Sequence, residues 1–416
     1  MSCTSYDNQG GDPVVGQYER WPYPAPLDDL TDVSAAAYVE GFNTLRDLSP
    51  IYWPAGQPRN DLNVLVAGCG TNAAACYAYL YPCCRVTGID ISRTSLANEY
   101  RLKAKHNLTN LSLHHCPIEQ VASLGTTFDF ISCHGVLHHM ADPTEGLRAL
   151  GGALNRDGVI GVMLYGRYGR MQVYVYQELF RLMGLRQTPE DVAVVRETMA
   201  ALPGDHFLRH YLSRAIDLNE DPGLVDTFLH RRDRAFSVAE VLEMVKAAGL
   251  AFQGWDQNLF YYPDAIIHGT PLFRQRLDRL PEEQVWQAME LCMGLLGMHW
   301  FHVCRRDRDP ASYRIPWDSP RLLDCVPLRR GELVQLRMPT GELTWAILRA
   351  PQPPVPLTAN QAAVVQQIDG RRTVRECLAA ASAPGDDEAK LKIARDVFGL
   401  LWRTSNGTLR LPRAGA

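Results

Sequence analysis

Apolar residues recur along this chain in two rhythms, and the changes of rhythm mark its elements. From residue 63, short β-branched runs that end in Gly, Asp or Cys alternate with segments of helical spacing. That alternation is the signature of an α/β fold. Strands are predicted at "NVLVAG" (63–68), "RVTGID" (85–90), "LSLHHC" (111–116), "FDFISC" (128–133) and "VIGVMLY" (159–165). Helices are expected between them in "AAACYAYLY", "SLANEYRLKAKHN", "PIEQVASLG" and "PTEGLRALGGAL". Such an order requires right-handed crossovers and a parallel sheet covered on both faces.

The pattern breaks after Tyr165. Residues 166–235 read as a helical insert with interruptions at "LPGD" (202–205) and "EDPG" (220–223), and they are expected to form a cover. "SVAEVLEMVKAAGL" (237–250) has helical spacing that closes at Gly249, and "AFQGWDQ" and "HWFHVCRR" read as two more strands, so the sheet resumes within 236–310. In 311–416, "ELVQLRM" and "ELTWAIL" look like short strands, and "APQPPVP" (350–356) is a linker by composition. The stretch from "LTANQAAVV" to "GTLRL" reads as helix, Asp-Gly turn, two helices and a short strand, a small winged-helix-like α+β unit. Residues 1–62 hold the aromatic, Pro-rich "QYERWPYPAP" and "IYWPAG", which suit either a lid or packing against the sheet.

Composition narrows the class. At 416 residues the chain exceeds one ordinary core, since domains run to about 100–200 residues. Its charges are scattered and sum to −4, which argues against a nucleic-acid partner. No apolar run of about 18 residues stands out as a membrane span, and the N-terminus lacks the apolar core of a signal peptide. A cytoplasmic protein with no membrane partner is expected. The eleven cysteines lie mostly in apolar runs such as "VAGCG" and "AAACYAYL". They read as reduced, buried thiols, and the lack of any C-x-x-C argues against a structural zinc knot.

"VLVAGCGTNA" is a strand entering a Gly-x-Gly-x-x-Ala turn and then a helix. Gly68 and Gly70 allow backbone angles that other residues avoid and let a ligand approach the main chain, while the helix N–H groups point into the crevice. Asp90, 22 positions beyond Gly68 at the end of the next strand, is placed to accept both hydroxyls of a ribose. An adenosine-type cofactor is expected. The same turn suits a dinucleotide, so a NAD(P)-dependent oxidoreductase is an alternative, and a non-catalytic Rossmann-like scaffold is another.

With these pieces in place, residues 63–165 resemble a class I S-adenosylmethionine-dependent methyltransferase. The resemblance rests on "VLVAGCGTN", "GIDIS", "CPIE", "FDFISCHGVLHHMADP" and "LNRDGVIGVMLY" in that order, followed by "SVAEVLEMVKAAGLAFQGW" and "HWFHVCRR". It implies a doubly wound, mostly parallel seven-stranded sheet, S-adenosylmethionine as cofactor, and a small-molecule or peptide methyl acceptor lying under the 166–235 insert. Carried over by position, Gly68, Cys69, Gly70 and Thr71 would lie under the methionine part and ribose, with Asp90 on the ribose hydroxyls. Ile91 would pack on the adenine, Ile118 and Glu119 would meet its edge, and Cys133 with His134 would face the methionine end. Two positions depart from the family pattern. Ala67 stands where an acid often precedes the glycine loop, so recognition of the methionine amino group must come from elsewhere. Pro117 stands where an Asp often accepts from the adenine amino group. The C-terminal unit resembles winged-helix modules of the peptide-chaperone kind found beside peptide-modifying enzymes.

"HGVLHHMADP" (134–143) adds three histidines. Asp142, Pro143 and Glu145 read as a helix start, which leaves His134, His138 and His139 on the loop after the fourth strand. Metal binding needs at least three converging ligands, and neighbouring side chains point apart, so no metal is expected. Each histidine is either a hydrogen-bonded loop residue or a general base for the acceptor. With Tyr165 they form the catalytic candidates. Arg167 and Arg170 in "LYGRYGR" suit either a substrate anion or ion pairs within the protein. His206 and His210 are spaced to share a helix face.

Overall fold

The computed structural model describes residues 12–31, 45–57, 59–267, 270–337, 341 and 343–412. The chain forms two compact units, one of residues 1–43, 59–252 and 294–306, the other of 44–58, 253–293 and 307–416. These units cut across the ranges read from the sequence. Pairing with the fifth strand draws the end of 236–310 back to the first unit, and a bond from Leu411 N to Pro54 O ties the end of 1–62 to the second. Residues 1–11, 32–44 and 58 of the 1–62 segment lie outside the described residues.

In the first unit the chain runs through α1 (Pro13–Arg20), β1 (Asn63–Ala67), α2 (Ala73–Leu80), β2 (Arg85–Asp90), α3 (Arg93–Lys105), β3 (Leu111–His115) and β4 (Phe128–His134). It continues through α4 (Pro143–Gly152), β5 (Leu154–Tyr165), the insert helices α5 (Met171–Leu182), α6 (Pro189–Ala201) and α7 (Asp221–Phe228), then α8 (Val238–Ala247), β6 (Leu250–Trp255), whose first three residues belong to this unit, and β7 (Met298–Arg305). The strands make a seven-stranded sheet in the order β3-β2-β1-β4-β5-β7-β6. β1 to β5 pair in parallel and β7 runs antiparallel to β5. The first six residues of β4 are buried, as a central strand covered on both faces should be. Carboxyl ends of the parallel strands therefore share one edge, where the chain reverses between β1 and β4 and open α/β sheets bind ligands.

Local chemistry accounts for the helix starts. The Asp142 carboxylate caps α4 by accepting from Thr144 N (2.9 Å) and Glu145 N (3.0 Å), with Pro143 at the first helical position. Ser237 and Glu240 form a capping box on α8. One expectation changes: "PIEQVASLG" folds as a 3₁₀ segment (118–124), because Pro117 before it and the left-handed Gly125 after it leave room for little more than two tight turns.

The 166–235 insert is helical and has its own core of Val173, Phe180, Val195, Leu208 and Phe228. His206 and His210 do not share a helix. The Pro203-Gly204 break leaves a single helical turn at Arg209–Leu212, with His206 outside it. Arg170 is buried at the start of α5 and pairs with buried Asp233 at 3.2 Å, while Arg167 pairs with Glu240 at 2.6 Å. Both arginines are thus engaged within the protein.

The second unit holds β8 (Val326–Arg329), β9 (Glu332–Arg337), β10 (Leu343–Leu348), β11 (Val355–Leu357), α9 (Ala359–Val365), α10 (Val374–Ala380), α11 (Asp387–Arg403) and β12 (Gly407–Arg410). Strands β9, β10 and β11 form one antiparallel sheet, and β8 pairs with β12 in another. The segment read as a linker contributes to β11, with Pro356 opposite Ala346 at the sheet edge, where a missing N–H is tolerated. Leu322, Ile347, Val365, Leu378, Phe398 and Leu401 fill the core of this unit. Ten described cysteines are free thiols, of which Cys83 and Cys292 are exposed. No helix among the described residues is long and apolar enough to cross a membrane.

Removing one partner of a buried ion pair strands the other charge in a poor solvent. Asp233→Ala is therefore expected to destabilise the protein by about 3–5 kcal/mol. A urea denaturation midpoint shifted by less than about 1 kcal/mol equivalent would show that Arg170 finds another partner.

Candidate active site

A cavity of about 280 Å³ opens at the carboxyl edge of the parallel strands. One end is built by the glycine turn. Gly68 (φ 71°) and Gly70 (φ 57°) occupy the left-handed region, which a side chain disfavours. A methyl group on Gly68 would collide with the Val136 side chain, and one on Gly70 would come within 3.1 Å of Tyr23 O. The turn is locked from outside by Asp90, whose Oδ2 accepts from Gly70 N and whose Oδ1 accepts from Ser92 N, both at 2.8 Å. Burial raises the Asp90 pKa and these N–H bonds oppose the rise. Ile91 N–H also bears on the carboxylate, which keeps acceptor capacity for a hydroxyl group.

A residue the sequence reading passed over supports the same turn. Glu99, fully buried on α3, accepts from Ala74 N (2.9 Å) and Ala75 N (2.8 Å) and so caps α2 in place of Asn72, whose side chain makes no cap. Burial pushes its carboxyl up to about 8.

Of the positions carried over from the family, Gly68, Cys69, Gly70, Asp90, Ile91, Ile118, Glu119 and His134 line the cavity. Thr71 and Cys133 do not. Thr71 is turned away and donates to Pro24 O at 2.8 Å. Cys133 lies inside β4, where burial pushes its thiol up to about 12.

The histidines separate into different environments. His134 lines the cavity, with Nδ1 3.2 Å from Ser132 Oγ and its ring edge-on to Trp300. His138 is outside it, fully buried, with Nδ1 accepting from Tyr165 N at 3.3 Å and its ring stacked on Tyr165 at 3.8 Å. His139 lines the cavity, and its Nδ1 lies 3.1 Å from Arg232 O. A carbonyl can only accept, so Nδ1 carries the proton and Nε2 keeps its lone pair. The Arg232 Nε–H donates back to His139 O at 2.7 Å, fixing the loop.

Tyr165 also lines the cavity. Its ring has the Arg170 guanidinium 3.5 Å from one face and His138 on the other, and its hydroxyl donates to Asp226 Oδ2 at 3.3 Å. The Tyr18 hydroxyl donates to Asp226 Oδ1 at 2.9 Å. Burial and then the Asp226 charge hold both phenols well above the ordinary tyrosine range, so both stay protonated and can donate. Tyr18, Tyr23, Pro24 and Asp12 bring the N-terminal segment to the cavity wall. Glu19 anchors it by accepting from Arg93 N at the start of α3 (2.5 Å), and Asp12 accepts a bidentate pair from Arg232 (2.6 and 2.8 Å).

His139, Asp226 and His230 bring one candidate metal-ligand atom each within 4.8 Å of one another. Two features make a poor metal centre of them. The imidazoles of His139 and His230 are stacked 3.9 Å apart and nearly parallel, so the two ring planes do not meet within ligating distance of both rings, where a shared ion must sit. His230 Nδ1 accepts from Arg232 N (3.0 Å), which puts its proton on Nε2, 3.4 Å from the Tyr18 hydroxyl. Sequence reasoning missed Tyr18, Asp226, His230 and Arg232. The available signal was the i, i+4 spacing of Asp226 and His230 in "LVDTFLHRRD", which has no meaning until Tyr18 and His139 fold against it.

Residues 65–160 match a family model described as "Methyltransferase domain". The chain is 29% identical over 324 residues to an uncharacterized protein of Synechococcus sp. (strain ATCC 27144 / PCC 6301 / SAUG 1402/1), covering 76% of this chain and 72% of that protein. A tRNA 5-carboxymethoxyuridine methyltransferase of Escherichia coli (strain K12) is 36% identical over 87 residues, 21% of this chain and 32% of that one. Among solved structures, PKMT2 from Rickettsia typhi in complex with AdoHcy superposes with a TM-score of 0.62 at 15% identity, covering 89% of this chain and 76% of that chain.

Burial pushes His230 down to about 2 and His138 well below its ordinary value. An unfolded histidine binds a proton near pH 6.5, so between that pH and the folded value the unfolded state holds the extra protons. Stability from these two groups is complete above about pH 6.5 and falls as the pH is lowered, by about 2 kcal/mol at pH 5 for His230. Thermal melts of His230→Asn should show a shallower loss between pH 6.5 and 5 than the unsubstituted protein. Parallel curves would place that acid sensitivity elsewhere.

Proposed function

We propose that the cavity at the strand edge binds S-adenosylmethionine and presents its methyl group to a small-molecule or peptide acceptor, a reading supported by the match of residues 65–160 to a methyltransferase domain. The observation that carries the reading is one cavity lined both by the Gly68–Gly70 turn with Asp90 and by His139 and Tyr165. When bound, S-adenosylmethionine supplies a methyl group activated on a sulfonium, which departs as a neutral thioether. Residues of the chain then have three tasks.

Asp90 accepts from the ribose with the acceptor capacity that its backbone N–H bonds leave unused. The glycine turn lets the cofactor lie against the backbone. His139 Nε2 takes the proton of the attacking acceptor group, while the bond from Nδ1 to Arg232 O holds the ring in the required tautomer. His134 flanks the reacting end, and His138 and Arg170 fix Tyr165 from behind. In-line displacement draws mainly on alignment, so the enclosed geometry contributes more than acid-base assistance. No observation favours NAD(P)-dependent oxidation or an idle scaffold over this reading.

Isothermal calorimetry is expected to detect S-adenosylhomocysteine binding and none of NAD. Asp90→Ala should weaken S-adenosylhomocysteine by at least about tenfold, the equivalent of one charge-assisted hydrogen bond. Binding of NAD with none of S-adenosylhomocysteine would end the reading. Tritium from methyl-labelled S-adenosylmethionine should pass into the small-molecule or protein fraction of a cell extract, and label confined to nucleic acid would overturn the acceptor assignment.

A further inference from the structure

S-Adenosylmethionine ends in an amino acid, and its ammonium needs an anion inside the protein, because a buried unpaired charge is costly. The acid that often precedes the glycine loop is replaced here by Ala67, which is buried and apolar. Among the described residues, four carboxylates line the cavity: Asp12, Asp90, Glu119 and Asp226. Asp12 is taken up in its bidentate pair with Arg232 and in capping α1. Asp90 belongs to the ribose end, and Glu119 is exposed on the 3₁₀ segment after β3. Asp226 is buried like Asp90 but lies at the opposite end of the cavity, and its hydrogen-bond donors are the neutral phenols of Tyr18 and Tyr165.

The spacing agrees. Asp90 ends β2 and Tyr165 ends β5, three strands across in the order β2-β1-β4-β5, which is about 14 Å at the usual strand separation. The cavity thus carries a buried carboxylate at each end, one beside the glycine turn and one beyond β4. Each Asp226 oxygen has a lone pair left after the phenol bond, and the two phenols hold the carboxylate in a fixed orientation.

Resting on the cofactor reading above, we infer that Asp226, from the helical insert, binds the α-ammonium of the cofactor's methionine portion in place of the missing acid at Ala67. Tyr18 and Tyr165 are positioning residues that hold its carboxylate. The insert therefore completes the cofactor site as well as covering the acceptor.

The test compares S-adenosylhomocysteine with 5′-methylthioadenosine, which keeps the nucleoside and lacks the amino acid, by calorimetry on the full chain. Asp226→Asn should weaken S-adenosylhomocysteine by about 10- to 100-fold, as for a charge-assisted bond, and leave 5′-methylthioadenosine within about twofold. Retained 5′-methylthioadenosine binding also shows that the variant is folded. Tyr18→Phe should weaken S-adenosylhomocysteine by a smaller factor in the same selective way. Equal effects on both ligands, or an unchanged S-adenosylhomocysteine affinity, would overturn the inference. If Asp226→Asn fails to fold, the unsubstituted protein still decides. It should bind S-adenosylhomocysteine at least about tenfold more tightly than its des-amino analogue, and equal affinities would overturn the inference. Failure of the unsubstituted protein to bind S-adenosylhomocysteine at all would instead remove the cofactor reading.

Discussion

The buried carboxylate of Asp226 is the point on which the first unit converges. A charge with so little water must be met by donors, and here they come from two distant stretches of chain: Tyr18 on α1 and Tyr165 at the end of β5. The insert that carries Asp226, the N-terminal helix and the central sheet are therefore held to one geometry by two phenol bonds. The stacking of His138 and Arg170 on the Tyr165 ring extends that constraint into the loop after β4 and the start of α5. Arg170 is in turn fixed by Asp233, five residues after the end of α7.

The other end of the cavity is organised by a second carboxylate with a different set of donors. Asp90 accepts backbone N–H groups from the glycine turn and from its own strand end, which turns a flexible loop into a fixed wall. Glu99 does the same for the helix that follows. The two ends differ in origin. The Asp90 end is local, formed by consecutive β-α units, whereas the Asp226 end is assembled from segments roughly 60 to 200 residues apart. A local motif can be read in order; an assembled one cannot.

This difference explains which histidine was resolvable from sequence and which was not. The Asp142-Pro143 cap fixes where α4 begins and so leaves His134, His138 and His139 in the preceding loop. Their environments diverge through contacts that spacing does not encode. His138 spends its Nδ1 lone pair on Tyr165 N, while His139 gives its Nδ1 proton to Arg232 O and keeps Nε2 for the cavity. The metal-like grouping of His139, Asp226 and His230 is likewise a tertiary product, and the parallel stacking of its two imidazoles disfavours a shared ion.

By itself the sequence determined the strands, their order of appearance, the glycine turn and the acid at the end of β2. Each of these depends on periodicity or on residues a short distance apart, where backbone geometry leaves few choices. Tertiary structure decided the rest: that the Pro-rich 350–356 stretch enters a strand, that Arg167 and Arg170 are consumed by acids within the fold, and that Tyr18 and Asp226 meet across 208 positions of sequence. The physical reason is that a buried polar group must be satisfied by whichever donor or acceptor the packed chain brings within about 3 Å, and that partner is chosen by the fold rather than by its neighbours in sequence.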